Sequence, residues 1–96
     1  MNEKLKNPLT DELFQTVLSL ASLEECYSFF EDLCTVKEIA AMAQRLRAAK
    51  LLREGKTYEQ IIHETDISSA TLSRVSKCLQ YGDGYRSVLE KSEMKK

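Results

Sequence analysis

Disulfide-forming cysteine patterns and long apolar runs are both missing from this sequence. Its three cysteines, Cys26, Cys34 and Cys78, are odd in number and contain no C-x-x-C pair, which argues against a disulfide framework. No apolar run approaches the roughly 20 residues of a membrane span, and the opening "MNEKLKNPLTDE" is too polar for a secretory signal. We therefore expect a protein of the reducing cytoplasm that does not enter a membrane.

The residue patterns of common catalytic and cofactor sites are also missing. His63 is the only histidine, no spacing of Cys, His or carboxylates suits a metal, and no P-loop or dinucleotide-binding glycine pattern occurs. We expect His63 to be a partly exposed helix residue and Cys26 and Cys34 to lie in the core. The sequence predicts a protein that is not an enzyme and has no metal or resident cofactor.

Strand signals are nearly absent, since no alternating β-branched runs occur and only three glycines and one proline are present. Three potential capping boxes mark helix starts, at Ser22 to Glu25, Thr35 to Glu38 and Thr57 to Gln60. We predict one all-α domain, residues 1–96, with six helices at about 10–20, 23–34, 36–53, 57–65, 68–81 and 85–92. Pro8 should precede the first helix, Gly55 should follow the third, and residues 82–84 should form the turn that ends the fifth. Residues 85–96 should form a C-terminal helix and tail.

The net charge of −1 conceals an uneven distribution. In residues 1–40, three lysines oppose eight acidic residues, for a formal charge of −5. In residues 41–96, eleven basic residues oppose seven acidic ones, for a formal charge of +4. A polyanion responds to the local field, so the second half of the chain remains compatible with nucleic acid.

The first three predicted helices are more apolar than a single buried stripe requires. On the third, Leu51 and Leu52 lie well outside the stripe formed by Ile39, Met42, Ala43 and Leu46. A chain of 96 residues is also short for a self-sufficient core. We predict that residues 10–53 are dimerisation helices of a homodimer; the alternative is a wide stripe buried within a monomer.

Residues 57–81 have the proportions of a helix-turn-helix. A short helix holding Ile61 and Ile62 leads to a tight turn at Asp66 and Ile67, and Ser68 opens a second helix. Asp66 stands where a left-handed residue is common in such turns, and aspartate tolerates that conformation better than most side chains.

The second helix has two faces of different chemistry. Leu72, Val75 and Leu79 project to one side, and the opposite side is small, hydroxylated and basic, with Ala70, Ser73, Arg74 and Lys77. Such a surface suits the DNA major groove, and the free amides at the helix start suit a phosphate. A solvated face that happens to lack acids is the alternative.

A basic run precedes this helix-turn-helix. It places five basic residues against the single acid Glu54, and we predict that all five are phosphate contacts: Arg45, Arg47, Lys50, Arg53 and Lys56. A solvated helix side is the alternative here as well.

Together these features resemble the Trp repressor family, and the whole chain resembles its YerC/YecD branch. The likeness rests on "QRLR", "LLREGKTYEQI" and "SATLSRVSKCL", within Thr35 to Tyr81. The resemblance implies a six-helix fold, an intertwined homodimer and a helix-turn-helix at each end that reads a pseudo-palindromic operator. With the groove-facing side described above, it implies DNA contacts from Ser68, Ser69, Ala70, Thr71, Ser73, Arg74 and Lys77.

The resemblance also implies an effector pocket beside the reading helix, formed by Thr35, Arg45, Arg74, Val75 and Cys78. Val75 replaces a glycine of the tryptophan-responsive repressor, and Cys78 replaces a hydroxyl. Crowding a ring against the valine costs on the order of 1 to 3 kcal/mol, and the lost hydrogen bond about 1 more. We therefore predict that L-tryptophan is not the effector: either Val75 and Cys78 fill the pocket, or a different small molecule binds.

We predict a sequence-specific DNA-binding transcriptional regulator, a repressor by resemblance, whose partners are double-stranded DNA and a second copy of itself. The alternative is a helical dimeric protein interaction module without specific DNA binding, because a fold alone does not fix function.

Overall fold

The computed structural model describes residues 2–94, and its side chains up to Glu93. Six α-helices follow a short 3-10 helix, Glu3–Leu5. They are α1 (Pro8–Leu18), α2 (Leu23–Leu33), α3 (Val36–Arg53), α4 (Tyr58–Thr65), α5 (Ser69–Tyr81) and α6 (Gly84–Met94). Residues 2–94 contain no strand, which confirms the all-α prediction. The last two lysines of the predicted segment 85–96 lie outside the described residues.

The start of α1 differs from the prediction. The helix begins at Pro8, two residues earlier than expected, and Asn7 caps it by accepting a hydrogen bond from the Thr10 amide at 2.9 Å. The expectation that Pro8 precedes the helix was wrong, because proline is well suited to the first helical position, where its missing N–H has no partner to lose.

Two of the three predicted capping boxes can be compared with the observed contacts. At Thr57 and Gln60 both hydrogen bonds form, at 3.2 Å and 2.9 Å, which confirms that box. At Ser22 the hydroxyl accepts from the Glu25 amide, but the Glu25 carboxylate accepts from Ala21 instead of Ser22, so only half of the box is present. The box at Thr35 stays a prediction.

The chain divides into two compact units, residues 1–36 and 37–96. In the first unit neither α1 nor α2 contributes a fully buried side chain. Large apolar residues are instead exposed on both helices, including Phe14, Leu18, Leu23 and Tyr27. The first unit therefore has more apolar surface than its own residues cover.

The second unit has a definite core. It joins three residues of α3 to side chains of α4, the following turn, α5 and α6: Ala48, Ala49, Leu51, Ile61, Ile67, Leu72, Val75 and Leu89. Leu52, Ile62, Leu79 and Tyr85 pack against this cluster. Gly55, with φ +87°, supplies the left-handed turn after α3, as the sequence predicted.

The two apolar sides of α3 have different surroundings. The side that includes Ala48 and Leu51 lies in the core, whereas Met42 and Leu46 on the predicted stripe are exposed. The core therefore accounts for one apolar side of the helix, while the other side is exposed in the single chain. None of the described helices is long and apolar enough to cross a membrane.

Candidate nucleic-acid interface

A tight turn of three residues joins α4 to α5. Asp66 adopts the left-handed conformation, with φ 61° and ψ 15°, and is the non-glycine residue with positive φ among those described. Its amide donates to the Ile62 carbonyl at 2.9 Å. The next residue, Ile67, is buried in the core. The turn is therefore stabilised by the backbone hydrogen bond of Asp66 and by the burial of Ile67. The predicted turn is therefore present at the predicted residues.

The side chains of α5 divide as the sequence predicted. Leu72 and Val75 are buried and Leu79 packs on the core. Of the α5 residues expected to face DNA, Thr71 is partly buried. The others are exposed: Ser69, Ala70, Ser73, Arg74 and Lys77. The first turn of α5 contains no acidic residue, so no carboxylate within that turn opposes the positive end of the helix dipole. This surface suits the approach of a phosphodiester backbone.

Ser68 caps the first turn of α5. Its hydroxyl oxygen accepts from the Thr71 amide at 3.1 Å, and its hydroxyl hydrogen is donated to Thr71 Oγ1 at 2.9 Å. The Ser68 hydroxyl therefore acts both as acceptor and as donor at the start of α5. Ser68 is exposed, but its hydroxyl group stabilises the start of the helix that presents Ser69 and Ala70.

The five predicted phosphate contacts have three kinds of surroundings. Lys50 and Lys56 are exposed, while Arg45 is partly buried. Arg47 forms an ion pair with Glu64 of α4 at 3.2 Å, with both side chains about half exposed. Arg53 forms two hydrogen bonds of 2.9 Å to the carboxylate of Glu93 on α6. The basic run is therefore partly neutralised from within the chain.

Two residues of the basic run form ion pairs, and the pair between Arg53 and Glu93 has the better defined geometry of these two. The hydrogen bond from the guanidinium to Glu93 raises the pKa of Arg53 above its ordinary value, against a smaller opposite effect of burial. This two-bond geometry ties the end of α3 to the end of α6.

A cavity of about 380 Å³ lies beside α5. Arg45, Arg74, Val75 and Cys78, four of the five predicted effector residues, line it, together with Thr71 and Tyr85. Val75 and Cys78 are among the residues that border this space, and the prediction that they fill an effector pocket stays a prediction. Thr35 belongs to the first unit, so its part in an effector site stays a prediction.

Three residues of this region were not anticipated from the sequence. Tyr85 reaches the cavity from α6, and Glu64 and Gln44 contact partners far away in the chain. Gln44 belongs to the quoted "QRLR" motif, but its contact with Thr65 depends on the packing of α3 against α4, which spacing alone does not reveal. His63 is exposed, and the described residues contain no cluster of His, Cys, Asp and Glu able to hold a metal.

Comparison with known proteins agrees with this geometry. The family model described as "Trp repressor protein" matches residues 9–93. YerC of Bacillus subtilis (strain 168), itself described as uncharacterised, is 53% identical over 90 residues, which cover 93% of this chain and 86% of YerC.

Two solved structures share the fold. A TrpR-like protein from Eubacterium eligens ATCC 27750 is 50% identical, with a TM-score of 0.92 and 97% of each chain covered. A structure from Staphylococcus aureus is 47% identical, also with a TM-score of 0.92, over 97% of this chain and 95% of the other. The chain belongs to the Trp repressor family, a family of DNA-binding regulators.

Proposed function

We propose that this protein is a homodimeric, sequence-specific transcriptional repressor that reads a pseudo-palindromic DNA operator through α5. The observation that carries the proposal is the exposed face of α5, where Ala70, Ser73, Arg74 and Lys77 form a small, hydroxylated and basic surface without an acid. Serine can bond a base edge or a phosphate, and alanine can meet a thymine methyl. The exposed Lys50 and Lys56 would add phosphate contacts, which set register without reading sequence.

The exposed apolar surface supports a dimer. Neither α1 nor α2 buries a side chain fully, and Met42 and Leu46 of α3 are exposed as well. Burying such surface against a second copy would supply the stability that a small single core lacks. A two-fold dimer would place its reading helices about 34 Å apart, one turn of DNA, and would favour an operator with matching symmetry.

The cavity beside α5 supports an effector site for a small anion. Arg45 of α3 and Arg74 of α5 both line it, and arginine binds carboxylates through paired hydrogen bonds. Val75 also lines it, and the resemblance implies that its branched side chain stands where a flat ring would need space. We therefore propose a ligand with an acidic group and no indole ring.

The direct test is a selection of genomic DNA fragments on the purified protein, with and without added amino acids, followed by binding at increasing salt. We expect enriched fragments to share an inverted repeat. Their affinity should fall steeply with salt, by a logarithmic slope of about −0.9 per phosphate contact. Absence of specific retention at moderate salt from every pool would contradict the proposal.

The alternative, a dimeric protein interaction module, is favoured by one observation. Arg47 and Arg53 are paired with acids of the same chain, which reduces the basic surface left for DNA. Such a module would retain no specific duplex, and any weak binding would be indifferent to sequence.

A further inference from the structure

Gln44 links α3 to the end of α4. Its side-chain nitrogen Nε2 donates a hydrogen bond of 2.8 Å to the backbone carbonyl of Thr65, in a partly buried position. Thr65 is the last residue of α4, and the last four carbonyls of a helix lack partners within it. Gln44 supplies the partner of one of these carbonyls from a different helix.

The side chain of Thr65 also bonds to the backbone of residues before and after it in the chain. Its hydroxyl donates to the Ile61 carbonyl at 2.7 Å and accepts from the Ile67 amide at 3.3 Å. Ile67 is 1% exposed, and Ile61 is fully buried. The residue held by Gln44 is therefore bonded both to the preceding turn of α4 and to Ile67 in the middle of the turn that leads to α5.

The Gln44 side chain is suited to positioning and not to phosphate binding. It is neutral, and the Nε2 hydrogen bond directs it toward the protein backbone. Ala48, four residues further along α3, is fully buried, so Gln44 adjoins the core side of the helix. A partly buried hydrogen bond beside a packed core has little freedom to change length, which makes it an effective orientational constraint.

We infer that Gln44 is a positioning residue that fixes the orientation of the helix-turn-helix, and hence of α5, relative to α3. The inference rests on the proposed function for its effect on DNA: with α3 in the dimer, this hydrogen bond sets the separation and angle of the two reading helices. The structural part of the inference, control of the turn, can be tested without DNA.

The first experiment measures hydrogen–deuterium exchange in the intact, DNA-free protein. Gln44→Met keeps the unbranched shape and removes the donor, while Gln80→Met makes the same change at an exposed position of α5. In Gln44→Met we expect exchange at Asp66 and Ile67 to increase about fivefold, the equivalent of one hydrogen bond of about 1 kcal/mol. The Gln80 variant should match the wild type there. Equal exchange in all three proteins would overturn the inference.

Gln44→Glu separates donation from packing. Its carboxylate has the shape of the amide but, when ionised, no proton for the Thr65 carbonyl. We expect faster exchange at the turn than in Gln44→Met, because two oxygens then face each other. Exchange like that of the wild type would show that shape alone orients the turn, and would overturn the role of the hydrogen bond.

The second experiment uses the operator selected by the wild-type protein, with its half-sites moved one base pair closer or further apart. Gln44→Met should lose affinity for the selected spacing while losing less for the altered ones, with an unchanged salt slope. A uniform loss at every spacing would contradict the positioning role. If the wild type selects no DNA, the proposed function fails, and the exchange measurement still decides whether Gln44 controls the turn.

Discussion

The Ser68 hydroxyl makes two hydrogen bonds to a single residue, Thr71, accepting from its amide and donating to its side-chain oxygen. The first of these is the usual bond of a helix cap, and the second holds Thr71 Oγ1 toward Ser68. The start of α5 is thereby fixed at the point where the helix would approach a phosphate.

We expect Ser68→Ala to lower the free energy of unfolding by about 1 kcal/mol, because one cap is lost. Ser68→Asp should recover that stability, since aspartate caps well and its charge suits the helix dipole. It should nevertheless abolish duplex binding, because the new charge repels phosphate. Thermal unfolding and fluorescence anisotropy with the selected operator check the two effects. Ser68→Asn, a neutral cap, is the control that should retain both properties.

Lys77 is exposed on the outer face of α5, two turns from the helix start. Lys77→Glu should reduce operator affinity by roughly 100-fold, because an attractive contact with phosphate becomes a repulsive one. Lys91→Glu changes the charge equally at an exposed position of α6 and should reduce affinity far less. Light scattering should give the same mass for both variants. Equal losses of affinity would indicate an effect of net charge instead of a contact.

The ion pair between Arg47 and Glu64 withholds one predicted phosphate contact. Surface pairs of this kind contribute only about 0 to 1 kcal/mol, so Glu64→Gln should leave the melting temperature almost unchanged. It should strengthen duplex binding and steepen the logarithmic salt slope by about 1, because Arg47 becomes available to DNA. Glu31→Gln removes the same charge from α2 and serves as the control. A weaker complex in Glu64→Gln would mean that Arg47 acts by holding α4.

The helices and the division of α5 into a buried and an exposed face could be predicted because their signals are local. Capping residues such as Thr57 act within four positions, and the division of α5 into buried Leu72 and Val75 and an exposed opposite face follows from helical periodicity. The left-handed Asp66 was predictable for the same reason, since few residue types tolerate that conformation at a turn.

The contacts that join helices could not be predicted in the same way. Gln44 and Thr65 are 21 positions apart, and Arg53 and Glu93 are 40 positions apart. Their pairing depends on how the helices pack, and an arginine in a basic run has the same sequence signal whether it binds phosphate or a carboxylate. The sequence therefore could not show that Arg47 and Arg53 are paired with acids of the same chain.

Our prediction for the ligand of the cavity depends on Val75 and Cys78. L-tryptophan should give the wild-type protein no saturable thermal stabilisation at micromolar concentration. The double variant Val75→Ala, Cys78→Ser restores space and a hydroxyl, and we expect it to gain a saturable shift. Because Val75 is 1% exposed, the alanine should itself lower stability by about 2 kcal/mol, so each variant is compared with its own ligand-free melting temperature. Saturable micromolar stabilisation of the wild type would contradict this prediction.

Leu18 offers the sharpest test of the dimer. In the single chain this side chain is 83% exposed, and a substitution at such a position would ordinarily change stability by less than about 0.5 kcal/mol. If α1 packs against a second copy, Leu18→Glu places a charge in an apolar interface, where an unpaired charge is strongly unfavourable. We expect sedimentation equilibrium to show the dimer dissociating at concentrations where the wild type is intact. Ser87→Glu introduces the same side chain at an exposed polar position of α6, outside the predicted dimerisation helices, and should remain dimeric. A Leu18 variant with wild-type mass and stability would show that this surface faces solvent.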